Sequence, residues 1–444
     1  MEYQQCVDHL AGAYRIPPAE REARRGNLPA LLDVLGRPQD GLRGAAVVGT
    51  NGKGSTVAFA VAALSAAGVR TGSMPGPHLQ EPRERVRVEG RPIGRAEYAA
   101  AYSEVLAAIE EHGLPLPAAG LCVAVAAAHF RRAGVTRVVA EAAIGGRGTA
   151  VMALGLDVKV ITGVAMDHTD LLGDTLGRIA TAKAEAVRDG DHVVLGRLHP
   201  QAQTAVEDVL AARAGLTSWQ VDRQIHYAAR PGTGPDGPVL DVVTPRGEHQ
   251  GLSCPLPGVH QHHNLALGLA TAAALAERGH APAPVDELLR RAVAATRWPG
   301  RLELIADARL DDWRGRVLLD GATNPQGVAT VAPEIERLAG PVRTPPAAVV
   351  FGAMRGKDVP AMLAPLPESW PLVLTRTSSP DATGPAELHA ALPPTRRAGA
   401  VTAPDTPSAL RRAAALVGDG GLIVVLGSLW MVGETRTELG LPPA

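Results

Sequence analysis

The hydrophobic pattern of the chain alternates between two kinds of segment. Short apolar runs recur between longer alanine-rich stretches that have helical periodicity. In the first half, strand patterns occur at 45–48, 137–141, 158–164 and 192–196. Helical patterns lie near 57–67, 97–112, 121–133 and 174–188, after a start of helices and turns over 1–44. This alternation predicts an α/β fold in which helices cover both faces of a mostly parallel sheet.

The alternation stops in the middle of the chain and then resumes. A Pro/Gly-rich stretch, 231–257, predicts hairpin strands and turns, and a helix is expected over 264–276. The segment 297–301 reads Arg-Trp-Pro-Gly-Arg and predicts a hinge. Further strand patterns follow at 316–319, 347–351, 371–375 and 422–426. We therefore expect a second, smaller α/β unit, because 444 residues exceed one ordinary core.

Composition excludes several classes of function. The net charge of −1 gives no basic surface for nucleic acid. The uncharged run 113–130 contains Pro and Gly, which favours a loop and a buried helix over a membrane span. The first residues do not resemble a signal peptide. Three cysteines, far apart, argue against a disulfide framework or a metal cluster: Cys6, Cys122 and Cys254. We expect a cytoplasmic protein without nucleic-acid or membrane partners.

Lysine is scarce in this chain. Of 44 basic residues four are lysine, which leaves 44 − 4 = 40 arginines. A lysine kept against this bias can mark a site that needs a compact ammonium or a reactive amine. Lys53, Lys183 and Lys357 lie within polar motifs, whereas we interpret Lys159, at the start of a strand pattern, as chance placement.

The segment 49–56 has the composition of a phosphate-binding loop. It follows an apolar strand pattern and precedes a helical one, so its N–H groups and the helix N-terminus can face an anion. Lys53 is predicted to neutralise nucleotide phosphates and Ser55 to hold Mg²⁺. The usual G-x-x-x-x-G-K-[ST] spacing is not kept, because Val47 replaces its first glycine and Gly54 separates Lys53 from Ser55. The predicted nucleotide-binding residues are Gly49, Thr50, Asn51, Gly52, Lys53, Gly54, Ser55 and Thr56.

Polar side chains follow two more strand patterns. Glu141 ends 137–141, and Asp167 and His168 follow 158–164. Ligands of open α/β sheets bind at the carboxyl ends of the strands, where a carboxylate can hold Mg²⁺. His168 could ligate a second metal, with Asp167 orienting its ring. Each segment alone has a plain structural alternative. Glu141 could simply be a polar residue at a strand end, and the segment with Asp167 and His168 could be a solvated turn.

Three other polar residues are candidates with plain structural alternatives. Lys183 lies on a predicted helix, and only the scarcity of lysine separates it from a surface residue. Asn264 could read a purine edge or could cap the helix that starts there. Asp320 ends a strand pattern and could bind a ribose hydroxyl or a phosphate-bound water, or could form an Asx-turn.

In order along the chain, these motifs resemble one family. The strings GTNGKGST, ERVRVEG, GGR, MDHTDLLGDTL, GxHQxxN, WPGRLE, LDGATNP, VFGAMRGKD and GSLWMVGE, between about 28 and 434, are similar to the folylpolyglutamate synthase and dihydrofolate synthase family of Mur-type ligases. The resemblance implies an N-terminal P-loop ATPase domain with a mostly parallel sheet, residues 1–296. It also implies a smaller Rossmann-like C-terminal ligase domain, residues 297–444.

The resemblance further implies a reaction. ATP phosphorylates a substrate carboxylate, and the amine of an amino acid, expected to be glutamate, attacks the acyl phosphate. ADP and phosphate are released, with two Mg²⁺ ions neutralising charge. The implied partners are small molecules, a carboxylic acid and an amino acid, in one-carbon metabolism, and the implied state is a monomer.

Residue by residue, the resemblance assigns roles to the candidates. Catalytic roles fall to Lys53, Lys183, His168 and Asp320. Lys53 and Ser55 serve the phosphates and the first Mg²⁺, while Glu141, His168 and a carbamylated Lys183 match the second metal site. Asn264, Arg301 and Asp320 match nucleotide contacts. Pro77, His78 and Arg85 match substrate contacts.

The sequence departs from the family at several places. The acidic GGRLDATN loop reads GGRGTAVMAL, the histidine of DGAHNP is Thr323, and the serine before Pro77 is Gly76. The T-x-F-E element reads Pro-Ala-Ala-Gly at 117–120, and KAGI reads KAEA from Lys183. ATP and Mg²⁺ chemistry is expected to be retained. The acid stays open between folate and a non-folate acid of specialised metabolism, and a nucleotide-binding pseudo-ligase is the non-enzymatic alternative.

Overall fold

A computed structural model describes residues 1–231, 238–340 and 347–444. Three helices precede the first strand: α1 (Tyr3–Tyr14), α2 (Pro18–Arg25) and α3 (Asn27–Val34). Eight strands follow in the N-terminal part: β1 (Arg43–Val48), β2 (Thr71–Met74), β3 (Arg87–Val88), β4 (Arg91–Pro92), β5 (Arg137–Glu141), β6 (Val158–Ile161), β7 (His192–Leu195) and β8 (Thr217–Gln220). They form one sheet in the order β4-β3-β2-β5-β1-β6-β7-β8.

This sheet is mostly parallel, as predicted. The five pairs from β2 to β8 along the sheet are parallel. At one edge, β3 pairs antiparallel with both β2 and β4. Neighbouring residues of β1 enter different cores, with Ala45 and Val47 on one face and Ala46 and Val48 on the other. Helices therefore cover both faces, which is why the central strand β1 is apolar from Ala45 to Val48.

The helices of this part begin with the one that follows the phosphate loop. They are α4 (Lys53–Ala66), α5 (Arg95–His112), α6 (Ala118–Arg132), α7 (Thr169–Leu172), α8 (Leu176–Ala184), α9 (Pro200–Ala211), α10 (His260–Glu277) and α11 (Asp286–Ala294). Short 3₁₀ turns occupy Pro82–Arg85 and Ala150–Leu154. The uncharged run 113–130 forms a loop and most of α6, which is buried in the core. In the described ranges, no helix is both long and apolar enough to cross a membrane.

A small antiparallel sheet packs against one face of the N-terminal domain. It contains β9 (His226–Arg230), β10 (Val239–Thr244) and β11 (Gly247–Ser253), with β10 in the centre. The hairpin predicted within 231–257 corresponds to β10 and β11, while 232–237 lie outside the described residues.

The C-terminal part is a second α/β domain. Its strands are β12 (Glu303–Leu310), β13 (Trp313–Leu319), β14 (Ala347–Phe351), β15 (Leu372–Leu374), β16 (Ala400–Thr402) and β17 (Leu422–Leu426), in the order β12-β13-β17-β14-β15-β16. All pairs are parallel except β12 with β13. Its helices are α12 (Pro325–Ala339), α13 (Val359–Leu363), α14 (Pro385–Ala391), α15 (Pro394–Arg397), α16 (Thr406–Val417) and α17 (Leu429–Glu438).

The structure contains elements that the hydrophobic pattern did not predict. β2 reads Thr-Gly-Ser-Met and β8 reads Thr-Ser-Trp-Gln, so both are strands through sheet pairing and lack an apolar run. β12 is an edge strand with only two buried residues. Helices α9 and α11 were also missed, and α10 begins at His260, four residues before the predicted start.

Candidate active site

The phosphate loop connects the central strand β1 to helix α4. Gly52 adopts a left-handed conformation (φ 84°) that L side chains rarely accept, and Lys53 is the first residue of α4. The Lys53 ammonium folds back over the loop, donating to the carbonyl oxygens of Thr50 (3.0 Å) and Gly49 (3.3 Å). The loop therefore presents a helix N-terminus together with a lysine ammonium whose acidic contact, Glu141, is a long one of 3.8 Å, an arrangement suited to an anion.

Gly54 explains the altered spacing of the loop. A Cβ at this position would lie 2.9 Å from Nε1 of Trp298 and 3.3 Å from Oε2 of Glu141. The indole of the hinge segment thus occupies the space that a side chain after Lys53 would need. A larger residue here is incompatible with the contact, which is why a glycine separates Lys53 from Ser55.

The order of the sheet brings the polar strand ends together. Because β5 and β6 flank β1, Glu141 lies on one side of the loop and Asp167–His168 on the other. Glu141 is 3.8 Å from the Lys53 ammonium and accepts the Gly76 N–H at 3.1 Å. Burial raises the pKa of Glu141, although Lys53 opposes this shift. A buried carboxylate with one weak cation contact is suited to a metal ion.

Asp167 forms a contact between the two domains. Its carboxylate pairs with the Lys357 ammonium and accepts the Asn324 amide at 3.1 Å. The predicted orienting bond to His168 is not formed, because Nε2 of His168 lies 3.9 Å from the carboxylate. His168 has positive φ (50°), and burial lowers its pKa. A neutral imidazole can act as a metal ligand.

Lys183 is buried beneath the phosphate loop. Its Nζ donates to the Gly49 carbonyl oxygen at 2.9 Å, and the side chain is 3% exposed. Burial, with the Lys53 charge nearby, lowers the pKa of Lys183 to about 7. Half of such amines are unprotonated near neutral pH, which is the form that reacts with carbon dioxide. The interpretation as a surface residue is therefore wrong.

The predicted nucleotide contacts occupy different positions. Asn264 lies in the second turn of α10, whose N-cap is Val259, so the capping interpretation is wrong. Its amide donates to the side-chain oxygen of Gln261 (2.9 Å), and its Oδ1 would be 2.3 Å from a Cβ at Gly52. The Asx-turn alternative for Asp320 is present, since one oxygen accepts Ala322 N–H at 2.8 Å.

Asp320 also fixes the strand that leaves the hinge. Its second oxygen accepts the Leu302 N–H at 2.9 Å, and burial raises its pKa while Arg301 opposes this. Arg301 donates to the Gly300 carbonyl at 2.9 Å. Both carboxylate oxygens of Asp320 are thus held by backbone in this state.

A network of amides joins the phosphate loop to the C-terminal domain. The Asn51 amide donates to Asn324 (3.2 Å) and Gln326 (3.0 Å), and Asn324 donates back to Asn51 at 3.0 Å. Thr323, the residue in place of the family histidine, precedes Asn324. The C-terminal domain therefore contacts the loop directly.

The predicted substrate residues form an aromatic cluster with residues that were not predicted. His78, beside Pro77, packs against Tyr14 (6.4 Å between ring centroids) and against Trp430 of α17 (6.0 Å). Nε of Arg85 donates to Nδ1 of His78 at 2.9 Å. Burial lowers the pKa of His78 well below its usual range, so the ring is a neutral acceptor for Arg85.

The cation of this cluster is Arg85. Among the described residues, no Asp or Glu forms an ion pair with Arg85, whose guanidinium lies 5.9 Å from the Tyr14 ring centroid. A half-buried guanidinium that lacks an acidic partner can bind a carboxylate or phosphate.

The predicted metal ligands do not form a conventional protein cage. Over the described ranges, no three His, Cys, Asp or Glu side chains converge to hold a metal ion. Mg²⁺ can be held by one or two carboxylates, with water and phosphate oxygens completing its shell. Glu141 lies 3.8 Å from the Lys53 ammonium, and Ser55 is buried in the first turn of α4.

Several residues of this region lie in the strings that resemble the family but were not predicted as site residues. Lys357, Asn324, Trp298 and Trp430 all contact predicted site residues. Each carried the signal of its family string, and Lys357 also carried the scarcity of lysine. This scarcity also applied to Lys159, whose interpretation as chance placement is wrong, since it forms a buried pair with Asp191 at 3.0 Å.

Comparison with known proteins agrees with this geometry. Residues 300–429 match the glutamate ligase domain of Mur ligases. The chain is 31% identical to a dihydrofolate synthase/folylpolyglutamate synthase of Mycobacterium tuberculosis, over 98% of this chain and 94% of the relative. It is 30% identical to a probable bifunctional folylpolyglutamate synthase/dihydropteroate synthase of Haloferax volcanii, of which it spans 50%.

A solved structure extends the agreement to the fold. Mycobacterium tuberculosis folylpolyglutamate synthase complexed with ADP superposes with a TM-score of 0.85 at 29% identity, covering 100% of this chain and 99% of that one. The predicted α/β fold, the predicted family and the predicted class of enzyme are confirmed. The chain therefore belongs to the folylpolyglutamate synthase/dihydrofolate synthase family of ATP-dependent ligases.

Proposed function

We propose that this protein joins an amino acid, by preference glutamate, to a carboxylic acid through an acyl phosphate, with release of ADP and phosphate. The observation that carries the proposal is the convergence of Lys53, Glu141 and Lys183 on one phosphate loop. Lys53 begins α4, Glu141 ends β5 and Lys183 lies on α8, so all three belong to regular elements of the domain. Such preorganisation is the main source of catalysis in phosphoryl transfer.

The nucleotide proposed for this site is ATP. The loop 49–56 supplies backbone donors and the N-terminus of α4, and Lys53 supplies the positive charge for the phosphates. A relative of 29% identity has been solved with ADP, which supports the assignment. Asn264, Arg301 and Asp320 are the proposed contacts to the rest of the nucleotide.

Two Mg²⁺ ions are proposed beside the phosphates. Ser55 would hold the first, while Glu141, His168 and a carbamylated Lys183 would hold the second. When bound, they would neutralise charge on the phosphoryl group in transfer. The lowered pKa of Lys183 supports the carbamate, because an unprotonated amine is required to form it.

The acid is proposed to bind at Pro77, His78 and Arg85. Arg85 offers a guanidinium to a carboxylate of this substrate, next to the loop that contacts Glu141 through Gly76. The segment that replaces the acidic GGRLDATN loop favours a non-folate acid as a second candidate. Its 3₁₀ turn, Ala150–Leu154, has only apolar side chains, three of them buried, and so offers no polar side chain to a pterin.

A turnover assay separates these proposals. Purified protein would be incubated with ATP, Mg²⁺ and glutamate, and with either dihydropteroate, tetrahydrofolate or no acid. Acid- and amine-dependent release of ADP and phosphate supports the ligase, and formation of AMP and pyrophosphate contradicts it. ATP binding without turnover of either folate favours the non-folate acid. Amine-dependent phosphate release that disappears in Lys53→Ala excludes a pseudo-ligase.

We further propose a cytoplasmic monomer with domains at 1–296 and 297–444. The composition and the family resemblance support the location and the oligomeric state. The boundary lies between the end of α11 at Ala294 and the start of β12 at Glu303, and the family match at 300–429 is consistent with it. Light scattering after size-exclusion chromatography tests the monomer, since a dimer would double the expected mass of 46.0 kDa.

A further inference from the structure

The indole of Trp298 lies beside the phosphate loop and the candidate metal carboxylate. Its Nε1 would be 2.9 Å from a Cβ at Gly54, and the same point is 3.3 Å from Oε2 of Glu141. The indole N–H is therefore at the side of the first turn of α4, immediately after Lys53. A donor at this point faces the region where Lys53 and Glu141 meet.

The Trp298 N–H has no protein acceptor. Trp298 is half-buried, and in the part of the chain that the structure describes none of the hydrogen bonds involves its Nε1. By contrast, Nε1 of Trp313, in the C-terminal domain, donates to the Gly418 carbonyl at 2.7 Å. The Trp298 Nε1 atom remains accessible to solvent, so this donor is free to bond a ligand atom.

The ring is held in place by a stacked arginine. The Arg87 guanidinium lies 5.1 Å from the centroid of the Trp298 ring. Arg87 is itself fixed, because it donates to the carbonyl oxygens of Glu84 (3.0 Å), Gly90 (3.2 Å) and Ala444 (2.8 Å). A planar guanidinium anchored in this way orients the indole before any ligand binds.

We propose that Trp298 is a further ligand-contacting residue, whose indole N–H donates to an oxygen of the terminal phosphoryl group of the bound nucleotide. The inference rests on the proposed ATP site. The terminal group is favoured over the inner phosphates because a Cβ at Gly54 would contact both the indole nitrogen and Glu141, the candidate metal ligand. A bond from a neutral donor to an anionic oxygen is charge-assisted and therefore strong.

The test measures nucleotide affinity without turnover. Isothermal titration calorimetry would compare ADP with the non-hydrolysable ATP analogue AMPPCP, in wild type and in Trp298→Phe. Phenylalanine keeps an aromatic ring under Arg87 and removes the N–H together with the five-membered ring of the indole. We expect AMPPCP to bind about 10- to 100-fold more weakly and ADP to change by less than about twofold. Trp313→Phe, which removes an N–H far from the loop, is the matched control and should change neither affinity.

The outcomes separate this inference from the proposed function. Unchanged AMPPCP affinity in Trp298→Phe overturns it, and so does an equal loss for ADP and AMPPCP, because the contact would then not be with the terminal phosphoryl group. A wild type that binds neither nucleotide contradicts the proposed function itself. Thermal unfolding of each variant checks that the fold is intact.

Discussion

The buried amine of Lys183 gives a prediction that can be worked out quantitatively. Its pKa falls from an ordinary value of 10.5 to about 7 on folding, mainly through burial. The unfolded chain then binds more protons than the folded chain between these two pH values, so stability rises with pH in that window. At 1.36 kcal/mol per pKa unit, the lowered pKa of Lys183 reduces the free energy of unfolding by about 4 kcal/mol at pH 7 and by about 2 kcal/mol at pH 9. Lys183→Met removes this titration.

The experiment compares the pH dependence of unfolding. Urea titrations at pH 7 and pH 9, in buffer free of carbon dioxide, would give the free energy of unfolding of wild type and Lys183→Met. We expect wild type to gain about 2 kcal/mol more than the variant between the two pH values. Arg25→Met, at a side chain 57% exposed, controls for the added methionine and should follow wild type. Equal pH dependence in wild type and Lys183→Met would refute the reasoning.

Three other substitutions test separate parts of the site. Lys53→Ala should lower amine-dependent phosphate release by about 100-fold or more, because the phosphates lose their cation, and a steady-state assay measures this. Lys357→Met leaves Asp167 buried and without its cation, so urea unfolding should show a loss of about 3–5 kcal/mol in the free energy of unfolding. Adding Asp167→Asn to the same chain should restore most of this loss. If the effects of the two substitutions simply add, the ion pair does not stabilise the fold. Gly54→Ala should weaken AMPPCP binding about 10-fold in calorimetry, because the new Cβ would contact the indole of Trp298. The higher helix propensity of alanine, about 1 kcal/mol, should limit any loss of stability.

The sequence was sufficient for the central elements of the fold. β1, β5 and β6 are buried on both faces and are mainly apolar, so they can be located without a structure. β8, which reads Thr-Ser-Trp-Gln, lies at the sheet edge and has two exposed residues, so its strand character comes from pairing with β7. Tertiary context of this kind is absent from the local pattern.

The candidate site also has one part that the local sequence predicts and another that only the structure shows. The loop from Gly49 to Thr56 is local in sequence and could be predicted in full, including the unusual glycine between Lys53 and Ser55. The reason for that glycine, the indole of Trp298, lies more than 200 residues away and needed the structure. Lys357 contacts Asp167 across the two domains; its rarity as a lysine and its family string singled it out, but neither indicated this partner.

The measurement that tests the central claim most directly is product analysis of a single reaction mixture. Purified protein with ATP, Mg²⁺, glutamate and the acid under test would be sampled for nucleotides, phosphate and the amide product. The account predicts ADP, phosphate and amide in equal amounts, formed only when both acid and glutamate are present and abolished in Lys53→Ala. AMP with pyrophosphate, or ADP release that ignores glutamate, would contradict it.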